Sequence, residues 1–293
     1  TLDYTNYTGN NLSWSFAYTD EEYVNIIQPK DELLNSYEYR YNAFYETEYE
    51  FDNPYEVARY ISSASGVLPS FNTGFTYTYD EIDNGDGTYT TKIYADSLDN
   101  LPKSINFIGL PIISVDKLNT SQATNLQSLF QSCAKLERVN TRNWDTSKVT
   151  TIKQAFYACK SLTSLDLSNL DTSNIKDMSN MVNGCSKLAS LDISGFDTSN
   201  ANYMTNMFYD CPSLTSLDVS SFNTNNVVSM SSMFYGCSKL TSLDVSDFNT
   251  SKVNTMENMF GNCNNLTSID VSGFETGEVT NMASMFHDCK KLT

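Results

Sequence analysis

The sequence predicts an α/β repeat protein, in which short parallel strands and short helices stack as a solenoid behind a small N-terminal α+β domain. Three observations lead to this prediction. All 7 cysteines lie 26 residues apart, from Cys133 to Cys289. Each 26-residue repeat contains a strand-like period followed by a helix-like period. The first 100 residues lack the repeat altogether, and a fixed internal period of this length is typical of stacked-repeat architectures.

The strand of each repeat is predicted from the residues that follow its cysteine, which we number as repeat position 0. Leucine stands at position 3, and apolar side chains at positions 6 and 8 alternate with polar ones, as at Leu214, Leu217 and Val219. An alternation with a period of two describes a short strand with one buried face. We therefore expect one strand per repeat.

The helix of each repeat is predicted from positions 16 to 23. Val253, Met256, Met259 and Phe260 follow an i, i+3, i+6, i+7 spacing, which describes one or two helical turns with a single buried stripe. The preceding Asp/Asn-Thr-Ser triplet favours a turn that ends in a helix N-cap. One strand and one short helix cannot bury their apolar faces alone, so we expect the repeats to stack around a continuous core.

Three segments are predicted along the chain. Residues 1–100 form the α+β domain, which is acidic and holds 15 of the 19 tyrosines. Residues 101–132 form a degenerate capping repeat with Phe107 in the cysteine position. Residues 133–293 form the repeats, and the chain is interpreted as a fragment that ends in mid-repeat.

Four elements are expected in the first segment. Residues 12–18 alternate like a strand, and residues 19–27 open like a capped helix with acidic side chains in its first turn. Pro54 is followed by a second helical pattern that ends at Ile61. Residues 83–87, Asp-Asn-Gly-Asp-Gly, predict a tight hairpin. The aspartates of this loop also allow a calcium interpretation, although the closing glutamate of a calcium loop is missing.

Charge and hydropathy exclude several classes of function. The chain has a net charge of −17, and its first 100 residues contribute −14 from 4 basic and 18 acidic side chains. An acidic chain in which we identify no basic stripe is not expected to bind nucleic acid or an anionic membrane. No run of 18 apolar residues exists, so no transmembrane helix and no membrane insertion are expected.

Catalytic and metal chemistry have little sequence support. The cysteines are expected to be buried free thiols, since side chains of one column point the same way and their number is odd. Zinc is not expected, because no Cys-x-x-Cys occurs and His287 is the only histidine. The Met and Phe side chains of positions 19, 22 and 23 are expected to fill the core. We therefore predict no enzyme activity, no metal and no cofactor.

Two sets of residues are candidates for binding. If positions 6 and 8 point inward, position 7 points outward and forms an aspartate row that suits basic groups or calcium, unless neighbouring hydroxyls and solvent satisfy it. The first complete repeat departs from this pattern, and its side chains suit either a specific partner or a contact with the N-terminal domain. The candidate binding residues are Arg138, Asn140, Arg142, Trp144, Asp166, Asp192, Asp218, Asp244 and Asp270.

The repeat resembles a known family. Leu-x-x-Leu-x-Val in a repeat of this length is the leucine-rich-repeat signature. Residues 207–224 and 233–250 share the pattern Met-Phe-x-x-Cys-x-x-Leu-x-x-Leu-Asp-Val-Ser-x-Phe-x-Thr. This pattern is similar to that of the BspA-like leucine-rich-repeat surface proteins of bacteria. The resemblance covers about residues 105–293. It implies a leucine-rich-repeat solenoid that adheres to host extracellular-matrix or mucosal proteins, or to other bacteria.

These observations predict a bacterial cell-surface adhesin or interaction protein that binds host proteins through its repeat face. Two alternatives remain at this point. The Tyr-rich segment could be a head that binds glycans or proteins on a repeat stalk, or the whole chain could be a structural spacer. The predicted location is extracellular, with the signal peptide and the anchor outside this chain.

Overall fold

The fold is that of a computed structural model, and it divides into two compact units, Thr1–Asn53 and Pro54–Thr293. The residues that the structure describes are 12–19, 22–29, 53, 55–72 and 74–293. Part of the predicted Tyr-rich head, residues 30–52, lies outside them.

The described part of the first unit is an antiparallel pair of strands. Strand β1, Leu12–Thr19, pairs with β2, Glu22–Pro29, in a continuous register from Leu12 opposite Pro29 to Thr19 opposite Glu22. The strand predicted at residues 12–18 is confirmed. The helix predicted over residues 19–27 is wrong, because Tyr23, Val24, Ile26 and Ile27 are residue types that favour strands and outweigh the capping signal.

The second unit begins with a five-stranded mixed sheet in the order β5-β6-β3-β8-β9. Its first four strands pair antiparallel, whereas β8 and β9 pair parallel. A separate antiparallel pair joins β4 to β7, and a 3-10 helix at Leu98–Asn100 precedes β7. The bounds are β3 Glu56–Ser62, β4 Ser70–Phe71, β5 Tyr77–Asp83, β6 Tyr89–Ala95, β7 Ile105–Asn106, β8 Ile112–Leu118 and β9 Arg138–Val139.

The sheet confirms one sequence prediction and corrects another. The hairpin predicted around residues 83–87 is confirmed by β5 and β6, in which Asp83 lies opposite Tyr89. The helix predicted from Pro54 to Ile61 is wrong, since β3 occupies these residues between two antiparallel neighbours. The side chains of Val57, Ala58 and Tyr60 are buried there. Pairing on both edges of β3 satisfies its backbone groups, so the local preference for a helix start does not decide its structure.

The segment before the first cysteine packs against the repeats with a shifted register. Strand β8 pairs with β9 through Ser114 and Arg138, an offset of 24 residues instead of 26. Phe107 is buried, and its carbonyl accepts a hydrogen bond from the Cys133 thiol at 2.8 Å. Its ring stacks on Phe130 with centroids 5.3 Å apart.

Successive repeats are joined by parallel backbone pairing. Strand β10, Ser164–Asp166, pairs in register with β11, Ser190–Asp192. On another side of the repeat, single parallel bridges link position 18 of each repeat to the same position of the next, from Thr151↔Asp177 to Thr255↔Asn281. Equivalent residues of neighbouring repeats therefore lie side by side along the stack.

The fold class predicted from the sequence is wrong. No α-helix occurs among the described residues, which form almost entirely strands and turns. The repeats are therefore not an α/β leucine-rich-repeat solenoid, and the described part of residues 1–100 has strands where α-helices were predicted. The backbone hydrogen bonds of the supposed helix show the reason. The amides of Met178, Asn180 and Val182 donate to carbonyls of the next repeat at 2.9–3.1 Å, whereas a helix would bond them four residues back. None of the described residues forms a helix that could cross a membrane.

Left-handed backbone conformations at positions 21 and 25 keep these segments from becoming helical. Asn180 has φ 58° and Gly184 has φ 75°, and the same positions have positive φ in every repeat from residue 128 to residue 288. A residue in this region cannot continue a right-handed helix. Between these residues the chain makes tight turns, each closed by a hydrogen bond across three residues. In one of them the Met181 amide donates to the Met178 carbonyl at 3.3 Å. Apolar side chains therefore recur every three or four residues because the turns are stacked, and not because the segment is a helix.

The core is a set of columns along the stack. Met178, Met204 and Met230 are fully buried, as predicted for their positions, whereas Met282 and Phe286 of the last complete repeat are exposed. The Phe208, Phe234 and Phe260 rings stack with centroids 5.6 Å apart.

Candidate functional site

The most regular exposed surface of the repeats is formed by positions 4, 5 and 7. We call it the strand face. Its central members, Thr215, Ser216 and Asp218, are exposed, whereas the neighbouring Leu217 and Val219 are buried. The same arrangement recurs in the neighbouring repeats, and the register of β10 with β11 places Asp166 beside Asp192. The outward orientation predicted for position 7 is thus confirmed.

Each aspartate of the strand face accepts hydrogen bonds from its own turn. The Asp192 carboxylate accepts from the amide of Ser194 at 3.0 Å and from its hydroxyl at 2.7 Å, and Asp244 does the same with Ser246. The pKa of Asp244 lies below its ordinary value of 3.8 because the Ser246 hydroxyl and amide stabilise the charged form more than the neighbouring carboxylates disfavour it. The row is therefore a fixed strip of negative charge at neutral pH.

The geometry gives no support to the calcium interpretations. No group of three or more His, Cys, Asp or Glu side chains in the described part of the chain could hold a metal ion. In the hairpin loop, Asp83 accepts from the Gly85 amide at 2.8 Å and Asp86 from the Thr88 amide at 2.9 Å. These carboxylates shape the turn, as the aspartates of the strand face do.

The unusual residues of the first complete repeat do not form one site. The Arg138 guanidinium pairs with the Asp116 carboxylate of β8 at 2.9 Å. The side-chain amide of Asn140 donates to the Asp116 backbone carbonyl at 3.1 Å. Arg142 is exposed. Trp144 is buried beside Phe130, with ring centroids 6.3 Å apart, and belongs to the core. Among the described residues, the acidic partner of Arg138 is therefore Asp116 of β8.

The thiols are buried structural groups. All seven cysteines are free, and six of them are buried. The thiol of Cys237 donates to the carbonyl of Phe208 at 3.1 Å, and burial raises its pKa well above its ordinary value. A thiol in this state is a poor nucleophile. The His287 side chain is 61% exposed, and its Nε2 atom lies 3.4 Å from the Asp288 carboxylate.

One structural row was missed by sequence reasoning, although its signal was visible. Position 13 is threonine in every complete repeat, where the Asp/Asn-Thr-Ser triplet predicts a helix cap. The buried Thr198 hydroxyl instead donates to the Asn223 carbonyl of the next repeat at 2.9 Å and accepts from the Asn223 amide at 2.7 Å. The strict use of threonine at this position therefore serves stacking between repeats.

Fold and surface together define a β-rich repeat protein with buried thiols and an exposed row of aspartates. A model of the Mycoplasma proteins of unknown function called DUF285 matches residues 124–242 and 214–293, which together span 124–293. The chain belongs to this family. No curated protein and no solved structure matches the chain.

Proposed function

We propose that this chain is a bacterial cell-surface interaction protein that binds an extracellular protein partner, such as a host matrix or mucosal protein, through the strand face. The observation that supports this most is the repetition of exposed Thr, Ser and Asp side chains at fixed positions, with the Asp166 and Asp192 positions in register. Parallel strands lie about 4.8 Å apart, so β10 and β11 offer their hydrogen-bonding and charged groups at about that spacing.

The charge of the strand face indicates which partners fit it. Asp192, Asp218 and Asp244 are exposed, and hydrogen bonds within each turn lower their pKa values. A row of ionised carboxylates attracts lysine and arginine side chains and accelerates association with a basic surface. The partner we propose therefore presents a basic surface to this face.

The cell-surface location follows from the resemblance of the repeat to BspA-like surface proteins. The buried thiols and locally bonded carboxylates are compatible with a binding role that needs no catalytic group. We accordingly propose adhesion without catalysis.

The test compares binding of the whole chain and of the variant Asp192→Asn/Asp218→Asn/Asp244→Asn to a panel of matrix proteins and mucins. Asparagine retains the turn, since the Asn249 side chain accepts from the amide of Ser251 at 3.0 Å and from its hydroxyl at 2.7 Å in the same geometry. The matched control replaces three aspartates of position 12, Asp145, Asp171 and Asp197, with asparagine. It removes the same charge from a different row.

We expect the strand-face variant to lose at least about tenfold in affinity while the control retains the affinity of the unaltered chain. Equal losses in both variants would mean that net charge, and not the strand face, drives binding. Binding that survives both variants would place the site elsewhere, including the Tyr-rich N-terminal segment. Absence of binding to every member of the panel would contradict the proposal and favour a spacer.

A further inference from the structure

A second surface of the repeats carries the opposite charge. Positions 1 and 2 follow each cysteine, and they hold 6 of the 12 lysine and arginine side chains between residues 133 and 293 but no acidic residue. All six lysines are exposed. We call this surface the lysine ridge; its members are Lys135, Lys160, Lys187, Lys239, Lys290 and Lys291. The expectation that the chain has no basic stripe is therefore wrong along this ridge.

Backbone hydrogen bonds hold the turns that carry the ridge. In each repeat a tight turn, such as the bond from the Leu188 amide to the Cys185 carbonyl at 3.0 Å, places positions 1 and 2 at its outer corners. Bonds to neighbouring repeats hold the turn on both sides, from Gly184 to Tyr209 and from Ala189 to Thr163, each at 2.8 Å. Successive turns are therefore stacked about 4.8 Å apart.

Three lysines of the ridge leave their ammonium groups unpaired among the described residues, whereas Lys135 donates to the Ser63 hydroxyl at 2.8 Å. Lys153 pairs with Asp177 at 3.6 Å, and Lys148 and Lys252 bond to oxygen atoms of the preceding segment or repeat. Lys160, Lys187 and Lys239 form no ion pair or hydrogen bond with the described residues through their ammonium groups. Their charges are therefore available to a ligand.

We propose that the lysine ridge binds a linear polyanionic polysaccharide, of the kind that carries sulfate groups along its length. Lysine ammonium groups attract such anions as point charges. Lys135, Lys160 and Lys187 lie on three consecutive repeats, and Lys239 continues the row after one repeat that has Pro212 and Ser213 instead. Exposed ammonium groups in a single row match a chain that carries its charges in a row, and the serines between them can bond to sugar hydroxyls.

The narrowness of the ridge favours this ligand over a nucleic-acid duplex or a lipid surface. The aspartate row of the strand face begins five residues beyond the ridge, at most about 17 Å away along an extended chain. Asp210 and Asp288 flank the turns on the other side. A wide anion would meet these carboxylates and be repelled, whereas a single polysaccharide chain can follow the lysines alone.

The experiment measures binding of the whole chain to immobilised heparin, as a sulfated polysaccharide, over a series of salt concentrations. The test variant is Lys160→Gln/Lys187→Gln/Lys239→Gln. The matched control is Lys148→Gln/Lys176→Gln/Lys252→Gln, which removes three exposed lysines from positions 15 and 17, outside the ridge. Thermal unfolding of both variants checks that neither change disturbs the fold.

We expect the ridge variant to bind heparin about 100-fold more weakly with a shallower salt dependence, since each lysine near a dense anionic surface contributes roughly fivefold. The control should change affinity by less than about threefold, and desulfated heparin should not bind. Equal losses in both variants, or an unchanged ridge variant, would overturn the proposal. So would duplex DNA or phosphatidylserine vesicles that bind as tightly as heparin with the same sensitivity. The ridge proposal does not rest on the strand face, because its ligand and its variants are different.

Discussion

At the scale of single residues, this protein uses small polar side chains to join repeats. Thr198 is fully buried, and its hydroxyl both donates to and accepts from the backbone of Asn223 in the next repeat. Thr172, Thr224 and Thr250 donate in the same way, each at 2.9 Å. A buried hydroxyl that both donates and accepts a hydrogen bond stabilises the stack, because loss of either bond leaves a buried polar group unsatisfied.

Thr198→Val should lower the free energy of unfolding by about 1–3 kcal/mol, since it keeps the side-chain shape and leaves the Asn223 carbonyl and amide without their partner. Urea denaturation followed by circular dichroism measures this loss. Thr215→Val, at an exposed position of the strand face, is the matched control and should change stability by less than about 0.5 kcal/mol. A similar effect of both substitutions would show that the cross-repeat bonds contribute nothing.

The aspartates of the strand face should make stability depend on acid. Bonds to the following serine lower the pKa of Asp192, Asp218 and Asp244 from their ordinary value of 3.8 in the folded state. Their contribution is therefore present above pH 3.8 and is lost as the pH falls through the lower, folded-state values. Urea midpoints measured between pH 6 and pH 3 should fall mainly below pH 4.

Replacing these three aspartates with asparagine should flatten that acid-dependent loss, because asparagine keeps the turn but does not titrate. The Asp145→Asn/Asp171→Asn/Asp197→Asn variant tests the neighbouring row, in which Asp145 and Asp197 also have lowered pKa values. If neither variant alters the pH profile, the turn carboxylates are not responsible for it.

At the scale of elements, the unit of this fold is a tight turn whose backbone bonds point along the stack. Asn258 has φ 55°, its amide donates to Ala283 of the next repeat at 2.9 Å, and its carbonyl accepts from Gly261 at 3.0 Å. Asparagine and glycine adopt this left-handed conformation at low cost. The residue type at position 21 therefore stabilises a turn where apolar spacing alone predicts a helix.

Asn258→Ala should reduce the free energy of unfolding by about 1–2 kcal/mol, because alanine is strained at positive φ. Asn258→Gly should be nearly neutral. A helix would show the reverse order, with alanine more stable than glycine by about 1 kcal/mol. Denaturant unfolding of the two variants thus separates stacked turns from helical ones.

At the scale of the whole molecule, the chain contains two compact units of unequal size. The second, Pro54–Thr293, contains the five-stranded sheet, the repeats and both proposed binding surfaces. Its core continues from Phe107 through Phe130 to the repeats, so the sheet covers one end of the stack. Repeats that contact mainly their neighbours need such a cover to keep the end of the core from water.

A fragment of residues 54–293 should therefore unfold with the same main calorimetric transition as the whole chain, within a few degrees. The physical reason is that the core and its cover are contained in that unit. Differential scanning calorimetry of both proteins makes the comparison. A fragment that begins at residue 101 is the contrasting case, and it should melt earlier because it lacks β3, β5 and β6. Equal melting of both fragments would contradict the role of the sheet as a cover.

The sequence by itself determined the period, the buried columns and the local turns. Cys237, Met233 and Phe234 are buried where the repeat pattern put them, and the Asp-Gly loop between β5 and β6 forms the expected hairpin. These features depend on residue type and spacing along a short stretch of chain. The outward direction of Asp192 in β11 was predictable for the same reason, because alternation in a strand fixes the side of each residue.

Only the tertiary structure decided where the backbone hydrogen bonds go. Apolar side chains that recur every three or four residues fit a helix, whose backbone bonds stay within the segment. They fit stacked turns equally well, whose amides donate to the next repeat, as those of Met178 and Asn180 do. The segment Glu56–Ser62 likewise forms a central strand because β6 and β8 pair with it on its two edges. The choice is made by partners far away in the sequence, because a buried amide must find an acceptor and short segments leave open whether that acceptor is local or in the next repeat.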